Sequence, residues 1–299
     1  MEMPEISCIM PAYNAAAFIR PAIESILNQT YGNFELIIIN DGSTDDTDNI
    51  IKSYNDKRII YIRNEENLKL IKTLNRGVDA ARGRFIARLD SDDIALPTLF
   101  EEELKEFAKH PDAGIINTLT YHMNEKGGGI RPNRKYFSVC PEVMSMITFY
   151  TNMISHPGVM VKAELMKKYH YLDSPAVTHF EDVELWARMF KDGIRCYTMK
   201  KRLIYYRQSS GSINSLYHEE RNERCQQFAI GYCQDRWGVQ WRKLPKETTF
   251  RGLMAHWTTL SSLWWYLLKK KGISLFLFIK LIKWQVRYFV GLSKGVIKK

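Results

Sequence analysis

The feature that most constrains this chain is an alternation, over its first ninety residues, of short apolar runs with stretches of helical spacing. Residues 6–10 (ISCIM) are an apolar run that ends at Pro11. Residues 15–28 place Phe18, Ile19, Ala22, Ile23, Ile26 and Leu27 on one helical face. Residues 34–39 (FELIII) are almost continuously apolar, which suits a strand covered on both faces. Ser43, Thr44 and Asp45 offer N-cap side chains for a helix over roughly 45–55. Residues 58–62 are a third strand, 68–82 a helix closed by Gly83, and 84–89 a fourth strand. Repeated β-α-β units predict an α/β fold with a mostly parallel sheet flanked by helices.

Such sheets bind ligands beyond the carboxyl ends of their strands. The polar residues obey that rule. Pro11-Ala12-Tyr13-Asn14 follows the first strand, Asn40-Asp41-Gly42-Ser43 the second, and Asp90-Ser91-Asp92-Asp93 the fourth. Three clusters at three strand ends are expected to meet in one crevice. After residue 110 the pattern loosens. Gly127, Gly128 and Gly129 mark a flexible loop, 179–191 a helix, and 194–206 a strand or hairpin. From about 215 the chain reads as helix, with strongly apolar stretches at 253–268 and 273–290. The expected organisation is a catalytic unit over 1–215, with its ligand-binding half near 1–110 and a second half over 111–215, followed by a helical region over 216–299.

Five cysteines, at 8, 140, 196, 225 and 233, form no C-x-x-C pair and are odd in number, which speaks against a disulfide framework or zinc cluster and for a reducing compartment. The N-terminus carries acids where a secretory signal needs basic residues.

Three carboxylates within Asp90-Ser91-Asp92-Asp93 repel one another unless a hard divalent cation lies between them. Mg2+ and Mn2+ favour oxygen ligands and bridge to substrate phosphates. A solvated turn capping the next helix, with Pro97 in its first turn, is the alternative. The surrounding segments carry more information. RFIARLDSDDIALP resembles the D-x-D region of family 2 glycosyltransferases. So do ISCIMPAYNAAAFIRPAIESILNQTYGNFELIIINDGSTDDT and NEENLKLIKTLNRGVDAARGRFIARLDSDD, in order and at the expected spacing. HFEDVELWARMFKDG resembles the family's E-D-x-x-L-W segment, and YYRQSSGSIN its closing Y-R-x-x-x-x-S-x-S motif. The resemblance spans about residues 5–215.

It implies the GT-A fold and sugar transfer with inversion. By position it assigns Pro11, Ala12, Tyr13, Asn14 and Asp41 to the nucleotide base and ribose, with Asn67, Arg88, Asp90 and Ser91 as further nucleotide contacts. An Asp41 acceptor for a uracil ring favours a UDP-sugar donor. Asp92 and Asp90 are the implied ligands for Mn2+ or Mg2+, and Asp93 the cap of the following helix. Asp182 is the implied general base and Glu181 a group that orients the acceptor, although acids at a helix N-terminus also serve as dipole partners alone. His156 and Arg207 are candidates for contact with the diphosphate or acceptor. For Tyr13 the alternative is simple core packing. Three departures stand out. The closing motif ends in Asn214, or has Ser210 and Ser212 in a shifted register. Lys69 occupies a position after Asn-Leu where the family often has Gly. KKYHYLDSPAVTHFED also replaces the Gly-Gly-Tyr or Gly-Phe often found before the acidic pair.

Charge is unevenly placed. Residues 251–299 hold ten Lys and Arg and no Asp or Glu, whereas the remaining 250 residues hold 33 of each sign. Such asymmetry points to a local anionic partner. Lys280, Lys283 and Arg287 share one helical face in a segment rich in aromatics, and Trp257, Trp264 and Trp265 precede Lys269-Lys270-Lys271. Three charges within eighteen positions argue against a spanning helix and for one lying on an anionic membrane surface. The expected location is cytoplasmic, peripheral at the inner face of the membrane. An ordinary helical subdomain packed on the core is the alternative; long aliphatic runs argue against nucleic acid. Two other functional classes are compatible with an acidic α/β sheet and a basic tail: a nucleotidyltransferase, and a membrane-attached nucleotide-sugar-binding protein without transferase activity. PAYNAAAF lacks the Gly-rich basic loop of the first, and the retained acids speak against the second.

Overall fold

Strands β1 (Ile6–Ala12) and β2 (Phe34–Asn40) are buried at every position, as their apolar runs require. Side chains along a strand alternate between faces. In β2, Ile37 and Ile39 enter one core cluster while Leu36 and Ile38 enter another on the opposite side. The sheet therefore divides two cores, which is why neither face needs polar residues.

The computed structural model describes residues 3–133, 140–148 and 152–209, scattered positions between 223 and 235, and residues 250–270 and 273–296. Strand β3 (Ile59–Arg63) lies beside β2, and β4 (Phe85–Arg88) beside β1, all parallel. Beyond β4 come β8 (Val159–Lys162), antiparallel to it, then β6 (Ala113–Asn124) and β9 (Arg195–Gln208), parallel to each other. The short β5 (Ile94–Ala95) pairs with the far end of β9, and β7 (Arg131–Pro132) pairs with β6. The nine-stranded order is β3-β2-β1-β4-β8-β6-β9-β5, with β7 off this path.

Helices α1 (Ile19–Leu27) and α4 (Leu99–Lys109) cover one face; α3 (Leu70–Ala80), α5 (Pro141–Ile147), α6 (Ala163–Tyr169) and α7 (Glu181–Lys191) cover the other. The short α2 (Thr47–Lys52) follows β2. Gly77 lets α3 lie close on the sheet: a Cβ there would meet Ile9 Cγ2 at 2.6 Å and Ile39 Cδ1 at 3.0 Å. Helix α1 starts four residues later than its apolar spacing suggests. Residues 15–18 form a turn instead, and Pro21 falls in the first helical turn, where a missing N–H leaves no bond unmade.

Several details differ from expectation. Asp93 does not cap the next helix; α4 begins at Leu99 after Thr98, with Pro97 outside it, and Asp93 is buried. Residues 195–208 form one long bulged strand, because β6 supplies a partner along its whole length. The glycines at 127–129 close a hydrogen-bonded turn between β6 and β7, with Gly127 and Gly129 at positive φ.

Helices α8 (Phe250–Lys270) and α9 (Leu275–Val296) form an antiparallel pair. Leu260, Leu263, Trp264, Leu267 and Leu281 join the same core cluster as α3, α5 and α7. The buried Gln285 ties the two helices through its Nε2, which donates to Trp257 O and Ser261 Oγ. Among the described residues no helix is long and apolar enough to cross a membrane. Ser210, Ser212 and most of the stretch between about 215 and α8, expected to be helical, lie outside the described residues.

Candidate active site

The loops after β1 and β2 are sewn together by side chains. Ser43 Oγ accepts from Asn14 N, Asn14 Oδ1 accepts from Thr44 N, and Asp45 accepts from Ala16 N and Thr47 N. Pro11 and Ala12 pair within the sheet with Ile39 and Asn40. Tyr13 emerges at the strand end with 48% of its surface exposed, which excludes simple core packing. Asp41 is buried and held rigidly: its Oδ1 accepts from Asn64 Nδ2 at 2.6 Å and Leu68 N at 2.8 Å. Asn64 is fixed in turn by Thr73 and Arg76 on α3. Gly42, at φ +70°, presses on Glu66 and Asn67, where a Cβ would meet Glu66 C at 2.6 Å. Three loops thus form one ledge with an exposed aromatic ring at its rim. Asn67 Oδ1 accepts from Lys69 N and closes that ledge.

The turn after β4 concentrates negative charge. Oxygens of Asp90, Asp92 and Asp93 lie within 4.8 Å of one another. Burial foremost, then the Asp90 carboxylate, pushes Asp92 up to about 6. Burial, with Asp92 and Asp90, raises Asp93 well above the usual carboxylate range. The buried Arg88 offsets part of this by donating both Nη groups to the Asp90 carboxylate. Ser91 lies half-buried between the acids, in a turn closed by Asp93 N on Asp90 O. An all-oxygen set with unrelieved repulsion, including a buried Asp93 Oδ2 without a hydrogen-bond partner, fits a hard divalent cation better than a solvated turn.

Across from these acids lies a second charged group. Glu181 and Asp182 open α7, and Glu181 is buried. Burial, then the neighbouring Asp182, raises Glu181 to about 7. Asp182 accepts from Asn152 Nδ2 at 2.6 Å and from Val183 N at 2.8 Å. His156 shares a 2.8 Å hydrogen bond with Tyr171 Oη and meets Trp186 edge-on. Burial and the Arg88 charge hold its imidazole well below the usual range, so it is neutral. Tyr171 binds the two groups into one site: after burial, the charges acting on its hydroxyl are those of Arg88, Asp182, Glu181 and Asp90.

A family model described as "Glycosyl transferase family 2" matches residues 7–169. The chain belongs to glycosyltransferase family 2. It is 34% identical over 215 residues to "Putative glycosyltransferase EpsE" of Bacillus subtilis, covering 70% of this chain and 75% of the relative. It is 31% identical to "Putative teichuronic acid biosynthesis glycosyltransferase TuaG" of the same organism, over 71% of this chain and 82% of that one. A solved structure of S. aureus TarS residues 1–349 in complex with UDP-GlcNAc superposes with a TM-score of 0.64 at 17% identity, over 96% of this chain and 81% of that one. The fold is GT-A, and the protein is a glycosyltransferase.

Within this glycosyltransferase, Arg207 is buried and its guanidinium is engaged by protein groups. Its Nε donates to Asp92 O, its Nη1 to Glu125 O, and its guanidinium covers Phe18. Its backbone N–H donates to Asp93 Oδ1 at 2.8 Å. Strand β9 delivers it there because β5, directly after the acids, pairs with Tyr205. Arg88 is likewise occupied by Asp90. Sequence reasoning missed Asn64, Tyr171 and Asn152. Asn152 lies four residues before His156, yet nothing in the local pattern marks an amide that must cross to another element.

Proposed function

We propose that the chain moves a sugar from a UDP-sugar to a hydroxyl of a glycan or lipid-linked acceptor, with inversion. One observation carries this reading: oxygens of Asp90, Asp92 and Asp93 gather within 4.8 Å of one another, and the buried Tyr171 hydroxyl feels the charges of both Asp90 and the Glu181–Asp182 pair. Asp41 and the exposed Tyr13 ring suit a uracil, one by hydrogen bonding and the other by stacking. The UDP-GlcNAc bound by TarS supports this choice of donor. Asp92 and Asp90 would hold Mn2+ or Mg2+, with Asp93 behind them. When bound, the cation supplies positive charge against the diphosphate. Asp182 takes the proton of the acceptor hydroxyl as its oxygen bonds to the anomeric carbon. The bond from that carbon to the diphosphate oxygen breaks, and its electron pair leaves with UDP. Fixed between Asn152 and Val183 N, Asp182 owes its effect largely to position. Glu181, titrating near neutrality, orients the acceptor.

The likeness to TuaG, a putative teichuronic acid biosynthesis glycosyltransferase, supports a surface-polysaccharide setting. The basic, acid-free helical pair supports attachment to an anionic membrane surface, where a lipid-linked acceptor resides. The test is Asp182→Asn, assayed as UDP release from UDP-hexoses with Mn2+. It should fold and bind UDP while losing turnover by about 10²-fold or more. Near-normal turnover removes Asp182 from the role. Thermal shift with UDP, GDP and dTDP, with and without Mn2+, tests the base preference: stabilisation by GDP above UDP would overturn the uracil assignment.

A further inference from the structure

We propose that Asn152 is the positioning residue of the proposed base, holding the Asp182 carboxylate in the orientation that transfer needs. The proposal rests on the reading of Asp182 as base. Asn152 Nδ2 donates to Asp182 Oδ2 at 2.6 Å, while Val183 N donates to Asp182 Oδ1 at 2.8 Å. One oxygen is held by the Asn152 amide and the other by a backbone N–H from a different direction, which fixes the carboxylate plane. The amide is itself fixed, because Asn152 Oδ1 accepts from Ile154 N at 3.0 Å. Turned over, the amide would set an oxygen against a carboxylate, so only this orientation is stable.

The segment bearing Asn152 is built to hold still. The buried Asn117 on β6 accepts from Ser155 N at 3.1 Å through Oδ1 and donates to Met153 O through Nδ2. Met153, Ile154 and Ser155 are buried, and His156 closes the arch on Tyr171. Residues 152–156 are thus a strap anchored in the sheet whose two polar ends, Asn152 and His156, reach the base and the tyrosine between base and acids. An amide suits this task better than a lysine or arginine would. It orients the carboxylate without forming an ion pair that would weaken it as a base.

The test is a cycle of Asn152→Asp, Asn152→Ala, Asp182→Asn and the two double variants. Each is assayed as UDP release, with water as acceptor and Mn2+ present, from the UDP-hexose that the unaltered chain turns over fastest. Asn152→Asp keeps the side-chain shape and removes the donor. Both Asn152 variants should lower kcat by about tenfold to a hundredfold, as loss of a hydrogen bond to a charged group does. KM for the UDP-sugar should stay within about twofold, because the donor ledge is untouched. In the Asp182→Asn background either Asn152 change should have no further effect. Full turnover in both Asn152 variants, or losses that add in the Asp182→Asn background, overturns the proposal. A KM rise matching the kcat loss, with a lowered melting temperature, assigns Asn152 to folding alone and overturns it too. Full turnover by Asp182→Asn fails at the earlier step, the base itself, and is read from that single variant.

Discussion

The sheet and the α8–α9 pair solve opposite problems with the same residue types. In the sheet, aliphatic side chains fill two cores, and what reaches solvent at the strand ends is Tyr13, Asn14 and a group of acids. In the helical pair only the inner face is spent on a core. Trp265, Tyr266, Leu275, Phe276, Ile279 and Val286 stand exposed, Phe276 by 67%. Lys269 lies over the Trp265 ring and Lys280 over that of Phe276. A soluble surface rarely gathers so many large apolar groups, and lysines snorkelling along aromatics suit a boundary between headgroups and acyl chains. The contrast teaches that the residues proposed for a diphosphate and those proposed for a lipid surface do not overlap. The two proposed functions should therefore be separable by mutation.

The largest expected effect tests one side of that separation. Asp92→Asn should lower turnover by about 10³-fold, as does removing a principal electrostatic group at a departing charge. Its binding to vesicles containing anionic lipid should be unchanged in flotation. Loss of both together would mean that the acids and the helical pair form one functional unit. The converse change is Phe276→Glu with Ile279→Glu, at two exposed positions. It should weaken vesicle binding by about tenfold or more and leave UDP release in solution as it was. Undiminished vesicle binding would assign the exposed face to something other than a membrane. These variants are cleaner than truncation near residue 250, which would also strip Leu260, Trp264 and Leu281 from the core.

The same contrast explains what the sequence revealed. The β-α-β half was legible because each buried strand is a continuous apolar run and each polar cluster follows one directly. Asp41, Asp90 and Asp92 could be placed at the ends of β2 and β4 from the pattern, while the roles proposed for them came from the family resemblance. Asp93 was misread as a helix cap. Its partner, Arg207 N, lies on a strand more than a hundred residues away, and a cap and a buried latch look alike locally. Asn152 and Tyr171 stayed hidden for the same reason: their roles depend on β6 and α7 converging, not on any spacing. In the tail, apolar richness with basic punctuation was plain, but two readings competed. Among the described residues, Leu260, Leu263, Trp264, Leu267 and Leu281 pack into the core, as the second reading expects, while Trp265, Phe276 and Ile279 stand exposed.

A smaller effect follows from the buried acids. Asp92 titrates near 6, Glu181 near 7, and Asp93 higher than usual, all above the values such groups have in an unfolded chain. A carboxyl whose folded value is raised binds its proton more tightly when folded. The penalty is therefore largest at alkaline pH and fades as pH falls toward 4. His156, held well below its usual range by burial, acts in the opposite sense once pH falls under about 6.5, so the gain is read above that value. Metal-free protein should melt about 2 °C higher at pH 6.5 than at pH 8. Mn2+ should reduce that difference by favouring the ionised acids. Below pH 4 the trend should reverse, because Asp48 and Asp56, held low by hydrogen bonds from Lys52 and Arg58, lose their partners on protonation. A melting temperature that falls steadily from pH 8 to 6.5 would contradict the picture of repulsion among these acids.

The smallest effect concerns strain, which the sheet's ligand loops carry. Lys69 sits at φ 72°, ψ 163°, a region essentially open to glycine alone. It holds that conformation because Asn67 Oδ1 accepts from its N–H and because the preceding residue, Leu68, donates its own to Asp41. The nucleotide ledge thus dictates a backbone that a side chain resists, which gives a physical reason for the glycine often seen there in the family. Lys69→Gly should stabilise the chain by about 1 kcal/mol, since relief of strain outweighs the added freedom of the unfolded state. The melting temperature should rise by about 2 °C. Lys69→Ala removes the same charge but keeps a Cβ, and so should leave the melting temperature nearly unchanged. Equal stabilisation by both would locate the gain in the lost lysine side chain and not in the backbone.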